Sequence, residues 1–399
     1  MTPRETYKGS ALFSYGFRPF FLSAALFAML AIPPWWLIWR GDLALAGPFT
    51  PTDWHIHEMI FGYGAAVVAG FLFTAVPNWT GRLPTRGAPL AFLLCFWLAG
   101  RVAVAGLTGL GPVAVALIDQ LFLLAVAAMI AREIVAGRNW RNLKVLVPVT
   151  LLWLANILFH AEAAAQGTAD HGRRLGIALL IFLVMLIGGR IVPSFTRNWL
   201  VQRGETRLPA GFTRVDALSL AVGAAALAAW VVAPDTVICA VLGLAAALVQ
   251  LVRLARWRGA ATWRSPLLLM LHVAYLMVPL GFAAVALAAL GLAAPASGSH
   301  VLGIGAVGGM TVAVMMRATM GHTGRPLMAG RLLSAAFVLI VAATAARVAG
   351  QAVQCGAFDG IDLAALLWTG AFALLVVRIG PWLVRPKAGR KAPRRAASR

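Results

Sequence analysis

The segment Asp53-Trp54-His55-Ile56-His57-Glu58-Met59 holds the densest set of chemistry-bearing side chains in the sequence. Imidazoles and carboxylates this close together suit a metal ion or a proton relay, because neutral imidazole ligates haem iron, copper and zinc alike. On a helix, residues 55 and 57 are about 200° apart, so both cannot face one centre. His57 is the expected ligand, since a repeat described below gives it a counterpart in His300, and His55 with Glu58, spaced i and i+3, reads as a proton-handling pair. Asp53 suits an N-cap, and Glu58 in the first turn suits the positive end of the helix dipole. The plain alternative is that interfacial His and Glu cap a helix in water.

Other ionisable residues interrupt long apolar runs, where they are costly and mark ligands, ion paths or cofactors. Toward one end lie His160, Glu162, His300, Arg101, Asp119 and Arg347. By helical rise His160 sits roughly 9 Å and His57 roughly 3 Å below the ends of their helices. With His300 they form one depth band, and these three are the expected ligands of a metal centre. Toward the other end lie His272, His322, Arg190 and Arg317. His272 falls about 10 Å inside its helix and His322 at the interface, so the two can share one haem only if a helix shifts by a couple of turns. Arg190 and Arg317 read either as anion partners for haem propionates or a quinone headgroup, or as snorkelling anchors. His171 falls in a loop and is expected to be solvated.

These residues need a scaffold, and composition names it. The chain is 61% hydrophobic and 12% charged, with mean hydropathy +0.84. Apolar runs long enough to cross a bilayer recur from end to end, continuous rather than alternating, which predicts a polytopic all-α membrane protein. Twelve transmembrane helices are expected, at 19–39, 55–76, 88–106, 111–131, 145–166, 174–195, 213–233, 236–256, 265–290, 299–320, 332–352 and 363–384. Arginines crowd the connections after even-numbered helices, which by the positive-inside rule places both termini in the cytoplasm. The net charge of +21 is then mostly an inner-leaflet feature. The basic tail 386–399 is explained by anionic lipid, with no nucleic-acid partner. Cys95, Cys239 and Cys355 lie far apart without a CxxC pattern, against covalent haem, iron–sulfur clusters and a disulfide framework. Met1 to Ser10 lacks a cleavable-signal pattern, so the first helix is expected to be an uncleaved anchor.

A repeat organises the helices. Pro77-Asn78-Trp79-Thr80-Gly81-Arg82 returns as Pro193-Ser194-Phe195-Thr196-Arg197-Asn198 and as Met320-Gly321-His322-Thr323-Gly324-Arg325, at offsets of 116 and 243 residues. Each copy closes an apolar run, at helices 2, 6 and 10. The single transmembrane domain 1–385 thus divides into four-helix units of roughly 1–144, 145–264 and 265–385. The same offsets pair His57 with His300, His55 with His171, and Arg190 with Arg317. Three arcs around a centre would bring helices 2, 6 and 10 inward.

Several stretches together resemble the NnrS family: Phe17-Arg18-Pro19-Phe20-Phe21, Trp54 to Gly62, Phe73 to Gly81, Gly189 to Thr196 and Arg317 to Gly324. The likeness covers nearly the whole chain up to about residue 385. It implies a multi-pass protein of the bacterial inner membrane that carries haem b and copper or another non-haem metal, tied to nitric oxide and denitrification. On that basis the expected function is binding of nitric oxide and its reduction to nitrous oxide, for detoxification, with electrons from quinol or a membrane donor. In this scheme His57, His160 and His300 hold the outer centre, while His55, Glu58 and Glu162 move protons. His272 or His322 serves an inner haem, and Arg190, Arg317, Arg101 and Arg347 bind cofactor. A haem–copper-oxidase-like arrangement of arcs is an analogy at fold level only. The alternatives are a non-catalytic nitric oxide sensor or metal-protecting protein with the same cofactors, and a transporter.

Overall fold

A computed structural model describes residues 7–388, and the expected tail lies mostly outside them. All the expected helices form. Among the described residues eleven are long and apolar enough to cross a membrane: α1 Phe17–Arg40, α2 Pro51–Thr80, α4 Pro112–Ala136, α5 Leu146–Gln166, α6 Asp170–Val201, α7 Arg214–Val232, α8 Val237–Ala255, α9 Pro266–Ala289, α10 Pro295–His322, α11 Gly330–Ala352 and α12 Gly360–Val384. The shorter apolar helix α3, Ala88–Val104, stands between α2 and α4. The chain is therefore an all-α, multi-pass membrane protein, with one two-residue β-hairpin pairing Gln354–Cys355 with Phe358–Asp359.

Neighbours in sequence pack as neighbours in space, and α12 closes on α1. At that seam Arg18 donates to the carbonyls of Leu383 (2.9 Å) and Arg385 (2.7 Å) at the end of α12. Trp368 on α12 donates to the Ala28 carbonyl on α1 (2.8 Å).

α2, α6 and α10 occupy the middle. Leu180 of α6 packs at Gly64 of α2, Ile60 and Phe61 of α2 pack at Gly176 of α6, and Met310 of α10 reaches Gly188 of α6. Tyr63 of α2 hydrogen-bonds Thr311 of α10. Small residues at these contacts let backbones approach closely, the usual solution where lipid tails supply no hydrophobic drive between helices.

The three central helices share a local departure from α geometry. Each contains a π-helical stretch: Glu58–Gly64 in α2, Val184–Gly188 in α6 and Val301–Gly308 in α10. A π turn inserts a residue into the helical ladder and disturbs its hydrogen bonds. Side chains cover carbonyls in each stretch: Trp97 Nε1 donates to Gly62 O (2.9 Å), Arg253 Nη1 to Met185 O (3.0 Å), and Thr311 Oγ1 to Val307 O (2.7 Å).

The repeated motif has a common local role. Thr80, Thr196 and Thr323 each return a hydroxyl proton to the carbonyl four residues earlier, at 2.9, 2.9 and 2.6 Å. The motif does not stop the helices where the apolar runs stop, however. Pro77 and Pro193 lie inside α2 and α6, and α6 continues to Val201 rather than ending near 195.

The start of α2 differs from expectation in a way that matters for the site. Its N-cap is Thr50, whose side chain accepts from Asp53 N (3.2 Å), with Pro51 at the first helical position. Asp53 is not the cap; it lies in the first turn and accepts from Ala169 N (3.3 Å) at the start of α6. Pro at N1 costs no hydrogen bond there, which is why the helix begins a turn earlier.

Candidate functional site

With α2 starting at Pro51, His57 lies about 9 Å inside it, and His160 lies about 9 Å inside the adjacent end of α5. The two imidazoles meet with ring centroids 5.2 Å apart. Between them stands Asp119 of α4: its Oδ2 is 3.0 Å from His57 Nε2 and 3.1 Å from His160 Nε2. One ligand-capable atom from each of His57, Asp119 and His160 lies within 4.8 Å of the other two, and all three residues are buried. Asn156, one turn before His160 on α5, donates to Asp119 Oδ2 (2.8 Å) and places its own oxygen 3.0 Å from His57 Nε2.

Arg101 on α3 ties the acids together. Nη1 donates to Glu58 Oε1 (2.5 Å) and Nη2 to Asp119 Oδ1, while His57 Nδ1 lies 3.1 Å from that same Glu58 oxygen. Gly62 makes the reach possible, since a Cβ there would come within 2.9 Å of Arg101 Nη1 and 3.0 Å of Glu58 Oε2. Among the described residues, Glu58 Oε2 and Arg101 Nε have no hydrogen-bond partner. Phe49, Phe61 and Phe159 close over His57, with ring centroids at 4.9, 5.1 and 5.2 Å.

In composition this is two carboxylates and two imidazoles against one guanidinium, shut away from water. Buried carboxylates without matching cations are costly, and either protons or a bound cation offsets the excess. Imidazole nitrogen with carboxylate oxygen is a donor set that suits first-row divalent metals.

His300 is not part of this cluster. Its Nδ1 lies 2.7 Å from the Ala296 carbonyl, and its charged neighbour is Arg347 of α11. His55 joins that second group: it stacks on Trp35 at 4.1 Å and lies within electrostatic reach of His300 and Arg347. The expected trio is thus divided, with His57 and His160 in one cluster and His300 beside His55 in another. Glu58 belongs with His57 rather than with His55.

Glu162 also has another task. It accepts from His171 N (3.3 Å), His171 Nδ1 (2.9 Å) and Gly172 N (2.7 Å), so it caps the first turn of α6. His171 is accordingly helical rather than in a loop.

At the arginine-rich end, Nε2 of buried His272 is 2.9 Å from Thr196 Oγ1. His322 ends α10, exposed, with its ring against Tyr15 and Phe17 at 5.4 Å each. Among the described residues no contact joins His272 to His322. Arg317 lies over the Phe195 ring at 3.8 Å, and Arg190 is exposed.

Sequence reasoning noticed Asp119 but left it and Asn156 out of the site. The signal for Asp119 was its complement, an arginine at 101 on the preceding helix; that for Asn156 was its place one turn from His160. A family model described as NnrS protein matches residues 11–387, nearly the whole chain. No curated protein matches it.

Proposed function

The chain belongs to the NnrS family and is a nitric-oxide-associated membrane protein; on that premise we propose that it binds nitric oxide at a metal held by His57, Asp119 and His160 and reduces it to nitrous oxide. The observation that carries this reading is the convergence of those three ligand-capable atoms in a buried, acid-rich cluster. Copper or another redox-active non-haem metal bound there supplies nitric oxide binding and one-electron chemistry. Overall, two nitric oxide molecules, two electrons and two protons give nitrous oxide and water.

The surrounding side chains fit the task. Arg101 holds Asp119 and Glu58 in place through separate guanidinium nitrogens. Asn156 donates to Asp119 Oδ2, and Glu58 Oε1 lies within hydrogen-bond reach of His57 Nδ1, which leaves Nε2 free to ligate. Such supporting bonds orient ligands and tune the metal they hold. Glu58, with Oε2 free of partners, delivers a proton toward the cluster. Phe49, Phe61 and Phe159 keep the pocket apolar, which suits a small, weakly polar gas arriving from lipid.

The histidines expected to carry haem b do not fit one as they stand. His272 spends Nε2 on Thr196, and its other nitrogen faces Gly259, where a single added carbon would come within 2.7 Å. His322 is packed between two aromatic rings at the surface.

Purified protein, reduced anaerobically and exposed to nitric oxide, tests the proposal through its metal count, its spectrum and nitrous oxide by gas chromatography. Bound metal and catalytic nitrous oxide are expected. Stoichiometric binding without turnover selects the non-catalytic sensor or metal-protecting reading, and protein with no bound metal selects transport.

A further inference from the structure

At the arginine-rich end, α3 stops short of its neighbour. Its 17 residues span about 26 Å, less than a hydrocarbon core of about 30 Å, whereas the 25 residues of α4 span about 37 Å and run on into the head-group layer. The step between them is a cleft of 420 Å³ lined by Arg82, Arg86, Pro89, Met129, Arg132, Glu133 and their neighbours. It joins the first turn of α3 to the closing turns of α4, so α4 projects past it.

Three guanidiniums and one carboxylate line this cleft, and one ion pair is made: Arg82 Nε donates to Glu133 Oε2 (2.7 Å). Among the described residues Arg86 and Arg132 have no carboxylate within ion-pair distance, and Arg86 Nε is buried without a hydrogen-bond partner. The backbone beside Arg86 is pinned, since Gly87 has φ 69° and donates to the Phe13 carbonyl (2.9 Å). A buried guanidinium N–H with no acceptor costs free energy until an anion reaches it, and the guanidinium fork matches phosphate oxygens.

The surroundings say where that phosphate comes from. Phe92, one turn beyond Pro89 on α3, is 65% exposed, and Leu121, on the same face of α4 as Arg132, is 40% exposed. Apolar surface facing lipid therefore continues from the cleft toward the middle of the membrane, which suits a phospholipid and gives a free phosphate nothing. Two positive charges are left unmet, which matches a head group with two phosphodiesters.

We infer that this cleft binds cardiolipin, with one phosphate on Arg86, the other on Arg132, and acyl chains along Phe92 and Leu121. Basic pockets between helices at a membrane surface recognise such head groups. The site stands at the opposite end of α2 from the metal cluster and depends on nothing in it.

Full-length protein in phosphatidylcholine nanodiscs containing a photoreactive cardiolipin tests this, with crosslinks mapped by mass spectrometry and unlabelled lipids as competitors. Label is expected on peptides spanning 82–92 and 121–133. Cardiolipin should compete at about fivefold lower concentration than phosphatidylglycerol, the effect of one further charge, and inorganic phosphate should not compete. Arg86→Gln and Arg132→Gln should each weaken competition by about fivefold, while Glu133→Gln, which removes the opposing charge, should tighten it by a similar factor. Arg132 is exposed, so its variant keeps the test open if Arg86→Gln fails to fold. Arg331→Gln, at an exposed arginine of the same end outside the cleft, should change nothing. Label elsewhere, equal competition by phosphatidylglycerol, displacement by inorganic phosphate, or indifference to Arg86→Gln and Arg132→Gln overturns the inference. So does an equal loss in Arg331→Gln, which would make the arginines a diffuse basic rim.

Discussion

Two buried arginines sit beside π-helical stretches in this protein, and their surroundings lead to opposite conclusions. Arg253 of α8 donates to Asp216 Oδ1 (3.1 Å), Met185 O (3.0 Å) and Tyr275 OH (2.9 Å). Tyr275 passes its own proton to Gln250 Oε1 (2.7 Å), and Gln250 Nε2 donates to Ser219 O (2.9 Å). Among the described residues, none of Arg253, Asp216, Tyr275 or Gln250 leaves a buried polar atom without a partner, and the one loose end is Arg256 Nη1 at the rim, 3.5 Å from Asp216 Oδ2. Gly189 leaves room for the guanidinium, where a Cβ would meet it.

The Arg101 cluster has the same kind of core, a guanidinium between helices with an aspartate beside it. It differs by carrying a second carboxylate, two imidazoles and unpartnered atoms on Glu58 and Arg101. A charge network that closes on itself holds helices in register. One with a carboxylate oxygen left unpartnered has room for a proton or, on the proposal above, for a bound cation.

That contrast can be broken by experiment. The largest expected effect is on metal: His57→Ala or Asp119→Asn should lower bound metal per chain by at least about tenfold and abolish turnover, measured by elemental analysis and nitrous oxide release. Equal metal in wild type and variants would make the Arg101 cluster as structural as its counterpart. Arg253→Met should instead destabilise the fold by about 1–3 kcal/mol, because Asp216 Oδ1 and the Met185 carbonyl lose their buried donor while Arg256 still pairs with Asp216 Oδ2 (3.5 Å). Thermal unfolding in detergent reads this, and metal per folded chain should stay at the wild-type value.

Smaller effects sharpen the assignment within the cluster. Asn156→Ala should weaken metal affinity by about 10–100-fold in a chelator competition, with the ligands themselves intact. Glu58→Gln keeps the hydrogen-bonding shape and removes the ionisable proton; turnover should fall by about 10²-fold while metal is retained. The smallest effect is expected of Glu162→Gln. It should cost about 1 kcal/mol of stability through the α6 cap and leave nitrous oxide output unchanged. A turnover loss there would return Glu162 to a proton-moving role.

Much of the scaffold was legible in the sequence because bilayer length and hydropathy constrain helices strongly. Every expected span corresponds to an observed helix, although the ends moved. The move at α2 decided the site: Thr50-Pro51 begins the helix a turn earlier than the first apolar residues suggest, which lowers His57 to the level of His160. The geometric point that His55 and His57 face opposite ways agrees with the structure, where His55 stacks on Trp35 and His57 faces α4 and α5. The pairing of His57 with His300 does not bring the two together. Positions related by a repeat occupy corresponding places in different units, and they meet only if they lie on the axis that relates the units.

Residue type and periodicity by themselves determined that this chain crosses a membrane many times, and that histidines, acids and arginines interrupt its helices near both ends. Those features follow from local cost, since each helix must satisfy its own backbone and each charge in an apolar run stands out singly. Only the tertiary structure decided which interruptions share a cluster. Rotation and depth of one helix against another are set by side-chain packing at Gly62, Gly64, Gly176 and Gly188 and by the π stretches whose carbonyls Trp97, Arg253 and Thr311 cover. A shift of one residue turns a side chain by about 100°, enough to separate a ligand from its centre.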